Sequence, residues 1–145
     1  MRYLNLVVII LFTILNLLSC DNNKSNIYNS YYDNGNLKRI IKLYKDDRIK
    51  IKTYHESGIM SGEFKSRNGI LDGVQFKYDE EGKIKEKIIC MRGLKYFEII
   101  KYYNNGNIMS HNTYLYGNLH GEQLWYNNEG QLIKKNIYYD GILDN

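Results

Sequence analysis

Five copies of Tyr-x-x-x-Gly run through this chain at a nearly constant step, and that period constrains the fold more than anything else in it. The pairs are Tyr31 and Gly35, Tyr54 and Gly58, Tyr78 and Gly82, Tyr102 and Gly106, and Tyr126 and Gly130. Successive tyrosines lie 23, 24, 24 and 24 residues apart. Two residues past each glycine stands an aliphatic side chain: Leu37, Met60, Ile84, Ile108 and Leu132. A second column places Gly69, Gly93, Gly117 and Gly141 24 residues apart, with Asp47 in the corresponding slot of the first unit. A third begins with Gly73 and Gly121, with Phe97 between them. A period of this length means one supersecondary unit stacked on copies of itself.

Each unit predicts two strands and two turns. The first turn gathers Asn, Asp, Glu and Gly, and the second is Asn68-Gly69 or its counterpart. In both, glycine supplies the positive φ that tight hairpins need. The segments between are β-branched and aromatic, which favours strands. The strands expected are 37–44, 49–55, 59–66, 73–78, 83–91, 96–103, 107–115, 121–127 and 131–139. Connections this short force antiparallel neighbours. The fold expected is all-β: an elongated, twisted antiparallel meander of about nine strands, roughly 38 Å across. Composition agrees. The chain has 15 Tyr, 19 Ile, 18 Asn and 12 Gly, with no Pro and no Ala. A helical bundle is disfavoured, since alanine is the best helix former. Alternation predicts one apolar, aromatic face (Ile84, Ile88 and Cys90; Val74, Phe76 and Tyr78) and one largely charged face.

The N-terminus carries an address. Arg2 precedes an apolar run from Leu6 to Leu18, broken by Thr13 and Asn16. About 20 residues are needed to span a bilayer, so this run fits the core of a secretory signal better. It ends in Leu17-Leu18-Ser19-Cys20, which resembles the bacterial lipobox. That resemblance implies removal of residues 1–19 and a lipid on the sulfur and amine of Cys20, holding the protein to a membrane of the bacterial cell envelope. The plainer alternative is an uncleaved N-terminal anchor. Residues 20–30 read as the lipidated cysteine and a polar tether, and 31–145 as the repeat domain. Cys90 is the second cysteine of two, so a lipidated Cys20 leaves no intramolecular disulfide, and a structural zinc site lacks ligands.

The unit Tyr-x-x-x-Gly-x-Leu…Gly-x-Leu-x-Gly, clearest over 102–121, resembles the MORN-repeat variant. Its bacterial members are often labelled YwqK-type antitoxin proteins. The resemblance covers nearly all of 31–145 and implies stacked β-hairpins used for protein or lipid contact. Asp47 and Phe97 depart from the pattern in glycine slots.

The residue types that carry chemistry are thinly spread. His55 and His120 are turn residues in repeat columns, and nothing in the spacing draws His111 to them. Asp79-Glu80-Glu81 and Asp46-Asp47 occupy turn tips, where solvated carboxylates are normal. Cys90 shares a column with Tyr114 and Tyr138, which reads as packing. No cofactor or metal is expected. The net charge of +4 is too weak to announce nucleic acid. Lys134 and Lys135 suit protection of the last strand against edge-to-edge pairing. Trp125 is the candidate contact residue, because its column otherwise holds Thr53, Lys77 and Lys101 and so does not require an aromatic. The function expected is a non-catalytic protein-binding module on a membrane, its protein partner unidentified. An antitoxin or immunity role and a lipid- or envelope-associated structural role are the alternatives.

Overall fold

The computed structural model describes residues 26–91, 93 and 95–144. Cys20 and the expected signal and lipobox lie outside the described residues. Among the described residues no helix is long and apolar enough to cross a membrane.

Twelve strands among the described residues form a single sheet: β1 (Ile27–Tyr31), β2 (Leu37–Leu43), β3 (Arg48–Tyr54), β4 (Met60–Arg67), β5 (Ile70–Leu71), β6 (Gly73–Tyr78), β7 (Ile84–Met91), β8 (Tyr96–Tyr102), β9 (Ile108–Leu115), β10 (Asn118–Tyr126), β11 (Leu132–Tyr139) and β12 (Ile142–Asp144). They pair in chain order, all antiparallel, with the short β5 set beside β4. The nine expected strands are all present. Three more are added. β1 corrects the tether, because Ile27–Ser30 pair with Arg39–Lys42 instead of running free. β5 and β12 are short strands that follow two-residue turns. The strand expected to be last, now β11, is partly covered by β12.

Each Tyr-x-x-x-Gly closes one hairpin in the same way. Tyr32 N–H donates to the Asn36 carbonyl at 2.8 Å and Gly35 N–H to the Tyr32 carbonyl at 2.9 Å, with Gly35 at φ 85°. The pattern recurs from His55, Asp79, Tyr103 and Asn127. The motif tyrosine then faces the aliphatic column: Tyr31 opposite Leu37, Tyr54 opposite Met60, Tyr78 opposite Ile84, Tyr102 opposite Ile108 and Tyr126 opposite Leu132. Beyond each pair the register slips by one residue, leaving Lys38, Ser61, Lys85, Met109 and Ile133 as bulged extras. Bulges of this kind bend a strand and raise its right-handed twist. Here they fall along a single side of the sheet, two strands apart.

The opposite side holds the second turns. Asn68-Gly69, Tyr116-Gly117 and Asp140-Gly141 all have positive φ at both positions, the signature of a type I′ hairpin. Gly93 keeps positive φ as well, and Asp47 takes φ 57° itself, so aspartate does there what glycine does elsewhere. Asp can visit this region because its short polar side chain satisfies nearby backbone groups.

The expectation of one apolar and one charged face is overturned. Register sets Gln75 opposite Ile88 and Phe76 opposite Lys87. Ile88 and Cys90 therefore share a face with Gln75, while Val74, Phe76 and Tyr78 lie on the other. Lys85 is a bulged extra, so the alternation that joins Ile84 to Ile88 on paper is broken between them. Both faces carry apolar side chains mixed with charge. Among the described residues the buried apolar side chains are only Ile41, Cys90, Phe97 and Ile100. The first three share the face of Gln75, where Phe97 and Tyr114 stack at 4.6 Å. The described residues form one layer, so burial among them comes from neighbours along the sheet.

Two buried glutamines mend this single layer. Gln75 and Gln123 are both 0 % exposed. Each lies two residues after a glycine at positive φ, Gly73 or Gly121. At those points the strand leaves the ladder: β9 pairs Tyr114 with Leu119, then resumes at Asn112 with Gln123. The glutamine side chain fills the gap. Gln75 Oε1 accepts from Lys65 N–H, and its Nε2 donates to the Asp72 carbonyl at 2.8 Å. Gln123 Nε2 donates to the Thr113 carbonyl at 3.0 Å. In the unit between, Phe97 and Ile99 take the equivalent places, and β7 and β8 pair without a break.

Candidate functional site

One row of side chains crosses nine strands on the face of Gln75. Cross-strand pairs link Arg39, Thr53, Gly62, Lys77, Glu86, Lys101, Ser110, Trp125 and Lys134 in turn. At about 4.8 Å per strand the row is about 38 Å long. It holds four cations and one acid. Glu86 is engaged with Lys77 at 2.7 Å. Gly62 and Ser110 are buried low points between longer neighbours. A side chain at Gly62 has no room, since its Cβ would lie 2.7 Å from the Phe64 ring.

Trp125 sits in this row, half-buried. The Lys134 ammonium lies over its ring at 5.0 Å, a cation–π contact. Its side chain points to the more buried face, opposite Leu124, which lies beside His111 and Lys135. Lys134 and Lys135 fold back onto the sheet, the latter pairing with Glu122.

The other face carries a second cationic cluster. Lys42, Lys50 and Lys65 stand directly opposite one another across β2, β3 and β4, as do Arg48 and Arg67. Like charges in direct opposition destabilise a sheet. Glu63 answers part of this, at 3.1 Å from Lys50 and 3.4 Å from Lys65. Burial raises the Glu63 carboxyl, but the two lysines outweigh it and hold the group below its ordinary range. The Tyr44 ring carries Lys42 and Arg48, each at 5.0 Å.

The histidines are not brought together. His55 Nε2 is 3.2 Å from the Tyr78 carbonyl of the next unit, His111 pairs with Glu98 at 2.8 Å, and His120 lies against Tyr139 with the rings tilted by 46°. The His55 contact belongs to a clasp that sequence reasoning missed. Tyr32 hydroxyl donates to the Tyr54 carbonyl and Tyr103 hydroxyl to the Tyr126 carbonyl, both at 2.8 Å. The residue after the motif tyrosine thus grips the following hairpin, and its place in the period was the available signal. Cys90 is buried and unpaired. Burial, with Asp72 adding to it, pushes its thiol up to about 11, so little thiolate exists near neutrality.

No curated protein matches this chain. Residues 25–46, 71–89 and 119–140 match the model of the family described as the MORN repeat variant. Each matched segment holds one Tyr-x-x-x-Gly hairpin, so the chain is similar to MORN repeats in three of its five hairpins.

Proposed function

We propose that this protein is a non-catalytic binding module, held to a membrane by a lipid on Cys20, that grips an acidic protein surface along the row from Arg39 to Lys134. Similarity to MORN repeats supports a binding role of the repeat type. The observation that carries the choice of surface is the row itself: four cations, one acid and a tryptophan in register across nine strands. Tryptophan and arginine are enriched where binding energy concentrates. A strip fixed by the strand ladder suits a folded partner, because neither side must be ordered on contact.

The test is capture from solubilised membranes, with the partner then purified for titration. Lys101→Glu and Trp125→Ala are expected to weaken its binding at least tenfold, and added salt to weaken it further. Lys52→Glu, on the other face, is expected to leave it unchanged. Trp125→Ala should also cost about 1 kcal/mol of stability through the lost Lys134 contact. Equal binding by all variants would overturn the assignment.

A second reading, an anionic lipid surface, is favoured by the opposed Lys42, Lys50 and Lys65. It predicts that vesicles containing phosphatidylglycerol bind the protein and that Lys50→Glu releases it. The antitoxin role rests on the family label, and no contact in the sheet argues for it. The anchor has its own test. Cys20→Ala should abolish labelling by a fatty-acid probe, and equal labelling of both proteins would remove the lipid from the proposal.

A further inference from the structure

The two ends of the sheet are complementary halves of one strand. β9 and β10 show how a full strand of this class is seated. Leu115 and Tyr114 pair with Asn118 and Leu119, and after the break Asn112, His111 and Ser110 pair with Gln123, Leu124 and Trp125. β11 and β12 repeat only the first half, each residue 24 further on: Tyr139 with Ile142, Tyr138 with Leu143. Among the described residues nothing pairs with Leu132–Asn136 on the side away from β10.

β1 is the missing half. Ser30 opposes Arg39 and Tyr31 opposes Leu37 across a bulge, as Trp125 opposes Lys134 and Tyr126 opposes Leu132. The five residues of β1 therefore stand where the last five of β10 stand in their unit. Among the described residues β1 pairs only with β2.

Both edges expose apolar side chains. Tyr31 is 58 % exposed at one end, and Leu132 and Ile133 are 52 % and 64 % exposed at the other. β1 carries no charged side chain, and Leu132–Asn136 carries Lys134 and Lys135. Exposed edges with unpaired backbone groups invite another strand unless something blocks them. The blocking lysines are already turned inward, Lys134 over Trp125 and Lys135 toward Glu122.

We propose that copies of this chain join head to tail, β1 of one completing on the next the strand that β12 begins. The periodic register sets Ser30 opposite Lys134, Asn29 opposite Lys135 and Tyr28 opposite Asn136 of the neighbouring copy. Tyr31 then covers Leu132 and Ile133, and the sheet runs on through the junction in step with its own period. Such a contact uses two different surfaces, so it extends into a row of copies instead of closing at two.

The test uses two full-length chains in detergent, one with Ser30→Cys and the other with Lys134→Cys, mixed under mild oxidation. Opposed antiparallel residues stand about 4.5–5.5 Å apart, within reach of a disulfide. A linked peptide joining positions 30 and 134 is expected. Ser30→Cys mixed with Tyr138→Cys, four residues out of register, is expected to stay unlinked. Failure of the first pair to link, equal linking by the second, or linking of Ser30→Cys to itself would overturn the proposal. Wild-type protein gives a second measure. Hydrogen exchange in Ile27–Tyr31 and Leu132–Asn136 should slow with rising protein concentration while β6 stays unchanged, and concentration-independent exchange would also overturn it.

Discussion

Replacing Gln75 with leucine is expected to remove about 2–5 kcal/mol of stability, although leucine is similar in size and the site is fully buried. The loss comes from the backbone. Lys65 N–H and the Asp72 carbonyl both depend on this side chain, and a buried polar group left without a partner costs about 1–3 kcal/mol. Gln123→Leu should cost clearly less. Gln123 serves the Thr113 carbonyl, and its own Oε1 is buried without a partner, so leucine also removes an unsatisfied atom. Chemical denaturation of both variants decides the matter. Small losses at both sites would mean that the glutamines act by filling space, which leucine also does, and not by repairing the ladder.

Gly106→Val is expected to cost about 1–3 kcal/mol or more, since a β-branched residue is forced to a backbone conformation it rarely adopts. Gly106 has φ 90° and open space around it, so the penalty is conformational and not a clash. Gly141→Val meets nearly the same backbone, at φ 87°. Its measured cost should nonetheless be less than half as large. Gly141 joins only the three residues of β12 to the sheet, and local fraying can relieve the strain there. Gly106 joins β8 to β9 in the middle, where each unit is held from both sides. Denaturant melts giving equal losses would show that the sheet unfolds as one block without independent ends.

These glycines also mark what the sequence makes legible. The turns, the antiparallel order and nine strands follow from the period, because turn chemistry is local and repeated. Faces do not follow. One bulged residue per hairpin inverts the alternation, so Ile84 and Ile88 look like neighbours and are not. The breaks at Gly73 and Gly121 shift the pairing again. Their signal was visible as Gly-x-Gln at 73–75 and 121–123 against Phe-x-Ile at 97–99, but only the ladder explains it. β1 was hidden because Asn29 and Ser30 have the composition of a loop, and its pairing partner lies across a turn. The cationic row was legible in part, since spacing already sets Lys77 and Lys101 in the column of Trp125, whereas Arg39 and Lys134 join it only through the register.

The five bulges have a further consequence. Their extra residues are Lys38, Ser61, Lys85, Met109 and Ile133, five positions held by four kinds of side chain. The backbone needs a residue there but not a particular one. Because they recur every second strand, they are spaced at about 10 Å. A dye or spin label carried in turn at each would read distance along the sheet like marks on a ruler, and would report stretching or bending of the array while leaving the backbone pairs of the ladder in place.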